Sequence, residues 1–253
     1  EVQALLRELK GSGRRVAAGL APRREGRVSA RLQRPIVSVT YAELTAPVVR
    51  AQSVPLLRAL RDSGETVDAV AFTSPRRLFL PSEHAAHAEA ALAFRQAIGR
   101  SPALLTHRPR LRQFAGTGAR LANLLRDRGL GDAVLLCRQP RAALVGIGAR
   151  EALADEGHGA ALVVHDLRGI RPEEYLLTLG KHEDDLSVDE RGMLAAYREQ
   201  EASACRDADA VLCVSHAMVR RVRNDHGVDA ARVLRLPNHA APVPPAERLR
   251  AEA

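Results

Sequence analysis

Val163-Val164-His165-Asp166-Leu167-Arg168-Gly169 decides how the fold of this chain is read. A short apolar run, Ala160 to Val164, ends abruptly in His-Asp-Leu-Arg-Gly, and Ile170-Arg171-Pro172-Glu173-Glu174 then reads as the start of a helix. A buried strand that stops and releases polar, flexible residues into a loop is how open α/β sheets place chemistry. Ligands of such sheets sit in the crevice beyond the carboxyl ends of the strands.

The same alternation of strand and helix repeats on both sides of this stretch. Upstream, strands are predicted over 36–41, 67–73, 103–107 and 133–137, short apolar runs of which the first is rich in β-branched residues. Between them helices are predicted over 48–63, 82–99, 118–128 and 140–156, stopped by Gly64, Gly99, Gly129 and Gly157. Pro55 predicts a kink or break in the first, and Ser82 reads as the N-cap of the second. Downstream, a helix over 189–207, a strand over 210–214, a helix capped by Ser215 and a strand over 233–236 complete the series. Continuous apolar strands are expected where helices cover both faces of a parallel sheet. The fold class is therefore α/β: a doubly wound, mostly parallel sheet of about seven strands, Rossmann-like, spanning residues 35–240.

Composition sets the bounds. The 253 residues are 46% apolar and 27% charged, as in ordinary globular chains, and no apolar run reaches the roughly 18 residues of a membrane span. No signal peptide is visible, and the first residue is Glu, so a processed, trimmed or fragmentary chain is expected. The net charge is +8, but residues 1–34 hold nine basic and three acidic side chains, leaving only +2 for the remainder. Of the 38 basic residues only Lys10 and Lys181 are lysines, a bias that a GC-rich coding sequence also produces. Residues 1–34 are expected to be a flexible basic leader; the alternative is peripheral contact with anionic membrane headgroups. Nucleic-acid binding is not expected, since the body is near neutral and carries only three Tyr and four Phe for stacking. Cys137, Cys205 and Cys213 have no metal-ligand spacing and read as reduced residues of a cytoplasmic protein, Cys137 and Cys213 in strand-like runs.

Candidate site residues follow from position. His165, Asp166 and Arg168 stand at a central strand's end, where imidazole can act as base, donor or acceptor and guanidinium binds phosphate or carboxylate. Asp166 and Arg168 could equally pair with each other to lock the loop. Ser215-His216 follows the sixth strand, where Ser215 is a helix cap and the free helix N-terminus an anion site. Arg138-Gln139-Pro140 repeats the theme after the fourth strand, and Arg76-Arg77 follows the second. Glu173 and Glu174 complement a helix dipole and are read as structural. His84 and His87 lack a third ligand nearby, so no metal is expected. No Walker loop, Gly-x-Gly-x-x-Gly or Gly-x-Ser-x-Gly motif is present.

With these residues in place, the succession resembles the N-terminal half of a family 4 glycosyltransferase of the two-domain GT-B fold. The resemblance rests on His165-Asp166-Leu167-Arg168-Gly169, on Tyr197, Glu201 and Ala204 leading into Ala208-Asp209-Ala210-Val211-Leu212-Cys213-Val214-Ser215, and on Val233-Leu234-Arg235-Leu236-Pro237-Asn238. It implies retaining sugar transfer from a nucleotide sugar to an acceptor, without a metal or other cofactor. The chain would supply the acceptor side, and a C-terminal donor-binding domain would supply the other wall of the cleft. His165 would be the catalytic residue near the donor sugar, with Arg138 and Ser215 lining the cleft. Members of the family commonly carry a Gly-Gly pair after the first strand. Here the loop is Tyr41-Ala42-Glu43-Leu44-Thr45-Ala46-Pro47, and Glu43, Thr45, Arg50 and Gln52 would have to substitute through side chains. Residues 241–253 read as a Pro-rich linker and the start of that second domain, so the chain alone is expected to be inactive. The alternative is a non-catalytic Rossmann-like binding or partner module.

Overall fold

A computed structural model describes residues 34–41, 44–73, 80–106, 114–157 and 161–237. The basic leader before Arg34, Glu43, Arg76-Arg77, Asn238 and the linker over 241–253 lie outside the described residues.

Seven strands form one sheet: β1 Ile36–Thr40, β2 Val67–Thr73, β3 Ala103–Thr106, β4 Val134–Arg138, β5 Leu162–Leu167, β6 Ala210–Cys213 and β7 Val233–Arg235. Their order is β3-β2-β1-β4-β5-β6-β7, and every neighbouring pair is parallel. The chain winds outward from β1 to β3, returns beside β1 with β4, and winds outward again to β7. The fold is thus the expected doubly wound α/β sheet.

The helices are α1 Val54–Asp62, α2 Pro81–Ile98, α3 Phe114–Asp127, α4 Gln139–Asp155, α5 Arg171–Leu179, α6 Val188–Asp207 and α7 His216–Asn224. Strand side chains alternate between the two faces. Ile36, Ala71, Leu136, Val164 and Leu212 pack with Leu57 of α1 and Phe94 of α2. Val37, Phe72, Leu135 and Val163 pack with Leu121 of α3, Ala142 of α4 and Ala204 of α6. Leu167, Val211 and Cys213 meet Met218 and Val222 of α7. All three cysteines are buried and unpaired, as the sequence led one to expect.

Several local boundaries differ from expectation, each for a physical reason. A π-helical turn, Val49–Ser53, precedes α1, just before Pro55. Pro55 has no N–H for an α-type bond, so the turn widens. Ser82 is not the cap of α2: Leu80 is, with Pro81 already in the first turn. The helix read as starting at Gly118 begins at Phe114. An unforeseen capping box opens α6, where Ser187 Oγ accepts from the Glu190 N–H and Glu190 accepts from the Ser187 N–H. The largest correction concerns the opening stretch. β5 does not stop at Val164; it pairs with β6 through Leu167, so His165, Asp166 and Leu167 are strand residues and only Arg168 onward is loop.

Gly118 of α3 is where that helix meets α4. A methyl group there would lie 2.8 Å from the Gly148 carbonyl carbon and 3.0 Å from the Ala149 nitrogen. These are backbone atoms, which cannot swing aside. Gly118→Ala is therefore expected to cost about 1–3 kcal/mol through overpacking. Chemical denaturation checks it; a loss below about 0.5 kcal/mol, the level of an ordinary surface change, would show that the helices separate freely.

Candidate functional site

The order of the strands reverses between β1 and β4. Open α/β sheets bind ligands at the carboxyl ends of the two strands flanking such a switch point. The structure brings four of the expected residues together beside it. Arg138 is the last residue of β4 and lies opposite Asp166 of β5 in register. Because side chains alternate along strands, both fall on the α1/α2 face, beyond Leu136 and Val164. Arg138 Nη1 stands 3.9 Å from Asp166 Oδ2, and Arg168 Nε donates to Asp166 Oδ1 at 2.6 Å. Arg138 Nη2 donates to Gln52 Oε1, delivered by the π-helical turn.

Within the cluster Arg138 and Asp166 are sealed, 4% and 3% exposed, while Gln52 and Arg168 are only partly buried. Arg138 Nε is buried with no partner among the described residues. Burial raises the Asp166 carboxyl above its usual range, while Arg168 and Arg138 pull it down. Burial likewise lowers the Arg138 guanidinium. One carboxylate thus sits between two guanidiniums at the strand ends. The sequence reading left Asp166 and Arg168 open between mutual pairing and ligand contact; in the structure they pair.

The other face of the sheet carries an open cleft of about 220 Å³ at the same switch point. It is lined by Tyr41, Gln139, Pro140, Arg141, Arg171, Tyr197 and Gln200. The Arg141 guanidinium lies 5.9 Å from the Tyr41 ring centroid and 5.6 Å from that of Tyr197, and Arg171 lies 5.1 Å from Tyr197. Arg141 Nε also donates to Gln200 Oε1 at 3.4 Å. Gln139 holds a left-handed backbone, φ 69°, at the entry to α4. Arg141 and Arg171 were not singled out from the sequence. A signal was present: each sits beside a proline that opens a helix after a central strand, at Pro140 and Pro172.

His165 does not reach either place. The strand continuation turns it toward α6, where it is fully buried with Nδ1 3.7 Å from Cys205 Sγ and Nε2 without a partner among the described residues. Burial pushes its pKa down to about 4, so it is neutral at pH 7. Near it Glu201, also fully buried, accepts from Arg221 at 3.1 Å and lies 3.2 Å from His226 Nε2. These two contacts hold the Glu201 carboxyl below its usual range against the opposing effect of burial. Arg221 reaches on to Glu173 at 2.7 Å, which gives Glu173 the structural part expected of it. Ser215 is the cap of α7, its Oγ accepting from the Met218 N–H at 3.2 Å. Thr45 lies half-buried in the turn after β1, and Arg50 pairs with Glu89 on the surface. Among the described residues no cluster of His, Cys, Asp or Glu could hold a metal.

Strand order and helix placement together define a Rossmann-like α/β domain. No family model matches the chain, and neither does any curated protein. Among solved structures it is similar to a glycosyltransferase from Rickettsia africae ESF-5, with 9% identity and a TM-score of 0.47 over 87% of this chain and 49% of that one. It therefore spans about half the length of that glycosyltransferase. An arylmalonate decarboxylase aligns with 16% identity and a TM-score of 0.17 over 79% of this chain and 87% of that one. Neither likeness is near enough to carry function, and the architecture stands on its own strand order. No helix among the described residues is long and apolar enough to cross a membrane.

Proposed function

We propose that this domain is the acceptor-side wall of a nucleotide-sugar-dependent glycosyltransferase of the GT-B type. One observation carries the reading: Gln52, Arg138, Asp166 and Arg168, from three separate elements, converge at the carboxyl end of the switch point, beside an open cleft. Sugar transfer from a nucleotide donor passes through charged states, and guanidiniums fixed at a strand edge facing the donor are suited to orient anionic or hydroxyl groups there. The sequence resemblance of the three quoted motifs points the same way. Transfer with retention, in the cytoplasm and without metal, belongs to this reading, as does a donor-binding domain facing the cleft. His165, sealed behind β5, takes no direct part; Arg168 and Gln52 are the residues best placed to meet substrate.

The test is transfer by the complete native polypeptide that carries this chain, offered UDP-, GDP- and ADP-sugars with release of the nucleoside diphosphate as readout. Arg168→Gln is expected to lower turnover by about tenfold or more, the scale of a lost charge-assisted contact, with the fold intact by circular dichroism. Absence of nucleotide release from every donor, or full turnover by the variant, would remove the proposal.

A further inference from the structure

The Arg141–Arg171 cleft has a chemistry of its own. Both guanidiniums lie against the Tyr197 ring, and Arg141 is also flanked by Tyr41. Cation–π stacking fixes the plane of a guanidinium while leaving its N–H edge available. Arg141 is steadied further by the Gln200 amide, a neutral partner that leaves its charge uncompensated. Arg171 touches Glu174 at 3.4 Å, but both side chains are nearly half exposed, so the contact neutralises little. Among the described lining residues there is no Asp or Glu.

Two cations gathered around one ring repel each other, and among the described lining residues no carboxylate stands between them. The 17-residue helix α4 begins at Gln139, adding the positive end of its dipole to the same side. A volume of about 220 Å³ is below the roughly 300–1,000 Å³ of sites that enclose a whole drug-sized ligand. It suits one charged group and a few attached atoms.

We propose that this cleft binds a phosphate monoester, gripped by Arg141 and Arg171 and flanked by Tyr41 and Tyr197. A dianion matches the two guanidiniums in charge, which a carboxylate does not, and its oxygens accept from both forks. The site is argued from the cleft alone and stands whether or not the chain transfers sugar. Joined to the sugar-transfer reading, it makes the acceptor a phosphorylated molecule.

Isothermal titration of the full chain with phenyl phosphate, benzoate and phenol tests it. Phenyl phosphate is expected to bind saturably, and Arg141→Gln and Arg171→Gln each to weaken it about tenfold or more, as loss of a charge-assisted pair does. Phenol should show no binding, and benzoate should bind about tenfold more weakly, as a monoanion before two cations. Arg171 is exposed, so its variant leaves the fold unchanged should Arg141→Gln prove unstable; thermal melts of both accompany the titration. No saturable binding of phenyl phosphate, equal binding of benzoate, or unchanged affinity in Arg171→Gln would overturn the assignment. Phosphate binding without any sugar transfer would sink the transferase reading and leave this site standing. Transfer to neutral acceptors with no phosphate binding would do the reverse.

Discussion

Replacing Asp166 by leucine should cost the domain about 3–5 kcal/mol, because it strips a buried guanidinium of its counter-charge. Arg138 is 4% exposed and meets only Asp166 and Gln52 among the contacts seen; Gln52 offers an amide oxygen and no charge. Water cannot take the carboxylate's place without opening the strand ends. The loss would be a large share of the 5–15 kcal/mol typical of a whole domain. A second variant separates charge from shape: Arg138→Met combined with Asp166→Leu removes the buried guanidinium with its carboxylate, leaving Arg168 without its 2.6 Å acceptor. It should recover part of the loss, since an apolar pair of similar volume is often neutral or better than a buried ion pair. Urea denaturation of the single and double variants gives the answer. A double variant as unstable as the single one would show that Asp166 matters by packing and not by charge.

The second large effect is a dependence on pH. His165 is fully buried and its pKa is depressed from 6.5 to about 4. The sign follows from linkage. The unfolded chain takes up the proton first as pH falls through 6.5, while the folded protein resists until about pH 4. The His165 contribution is therefore fully present above pH 6.5 and lost on the way down to pH 4. At 1.36 kcal/mol per unit, the loss is about 3 kcal/mol. Other groups titrate nearby and must be separated. The raised Asp166 carboxyl acts in the opposite sense, its ionisation opposing folding as pH rises through its folded pKa. The lowered Glu201 carboxyl loses its contribution below the ordinary carboxylate range, under most of the His165 window. The measure is thus a difference: the pH profile of stability for wild type minus that for His165→Leu. The variant should lose little at pH 7, since Nε2 has no partner to give up. It should lack the decline between pH 6.5 and 4; equal slopes would place His165 in contact with water.

How much of this was legible beforehand depends on what burial does to polar residues. The sheet was readable because Val67–Thr73 and Val134 to Cys137 are apolar runs between glycine-stopped helices, and such runs have few other uses. The end of β5 was misplaced because His165 and Asp166 look like loop residues in one dimension. They stay in the strand because Asp166 meets two guanidiniums across the strand ends and His165 gives up its charge. Arg138 was read as lining the cleft, yet it is buried for the same reason. The pairings of Arg138 join residues 28 and 86 positions apart, and no local pattern announces them. Glu201 was more accessible to reasoning. It falls on the helical stripe Leu194, Tyr197, Glu201, Ala204, Cys205, all buried. A lone acid on an apolar stripe asks for a basic partner, here Arg221 and His226. The Arg141–Arg171 cleft needed three dimensions, since its two tyrosines lie 156 positions apart in the chain.

The strand order also sets the timetable of assembly. β1 pairs with β2 after a local crossover, but its other edge waits for β4, as in Val37 opposite Leu135, nearly a hundred residues later. At synthesis rates of about 5–20 residues per second, that edge stays open for roughly 5–20 s. A three-stranded β3-β2-β1 intermediate with an apolar, unpaired border is then the species that chaperones must shield. The central pairing at the switch point is thus the last strand pairing β1 makes, and a nascent chain arrested before β4 would present its most aggregation-prone edge.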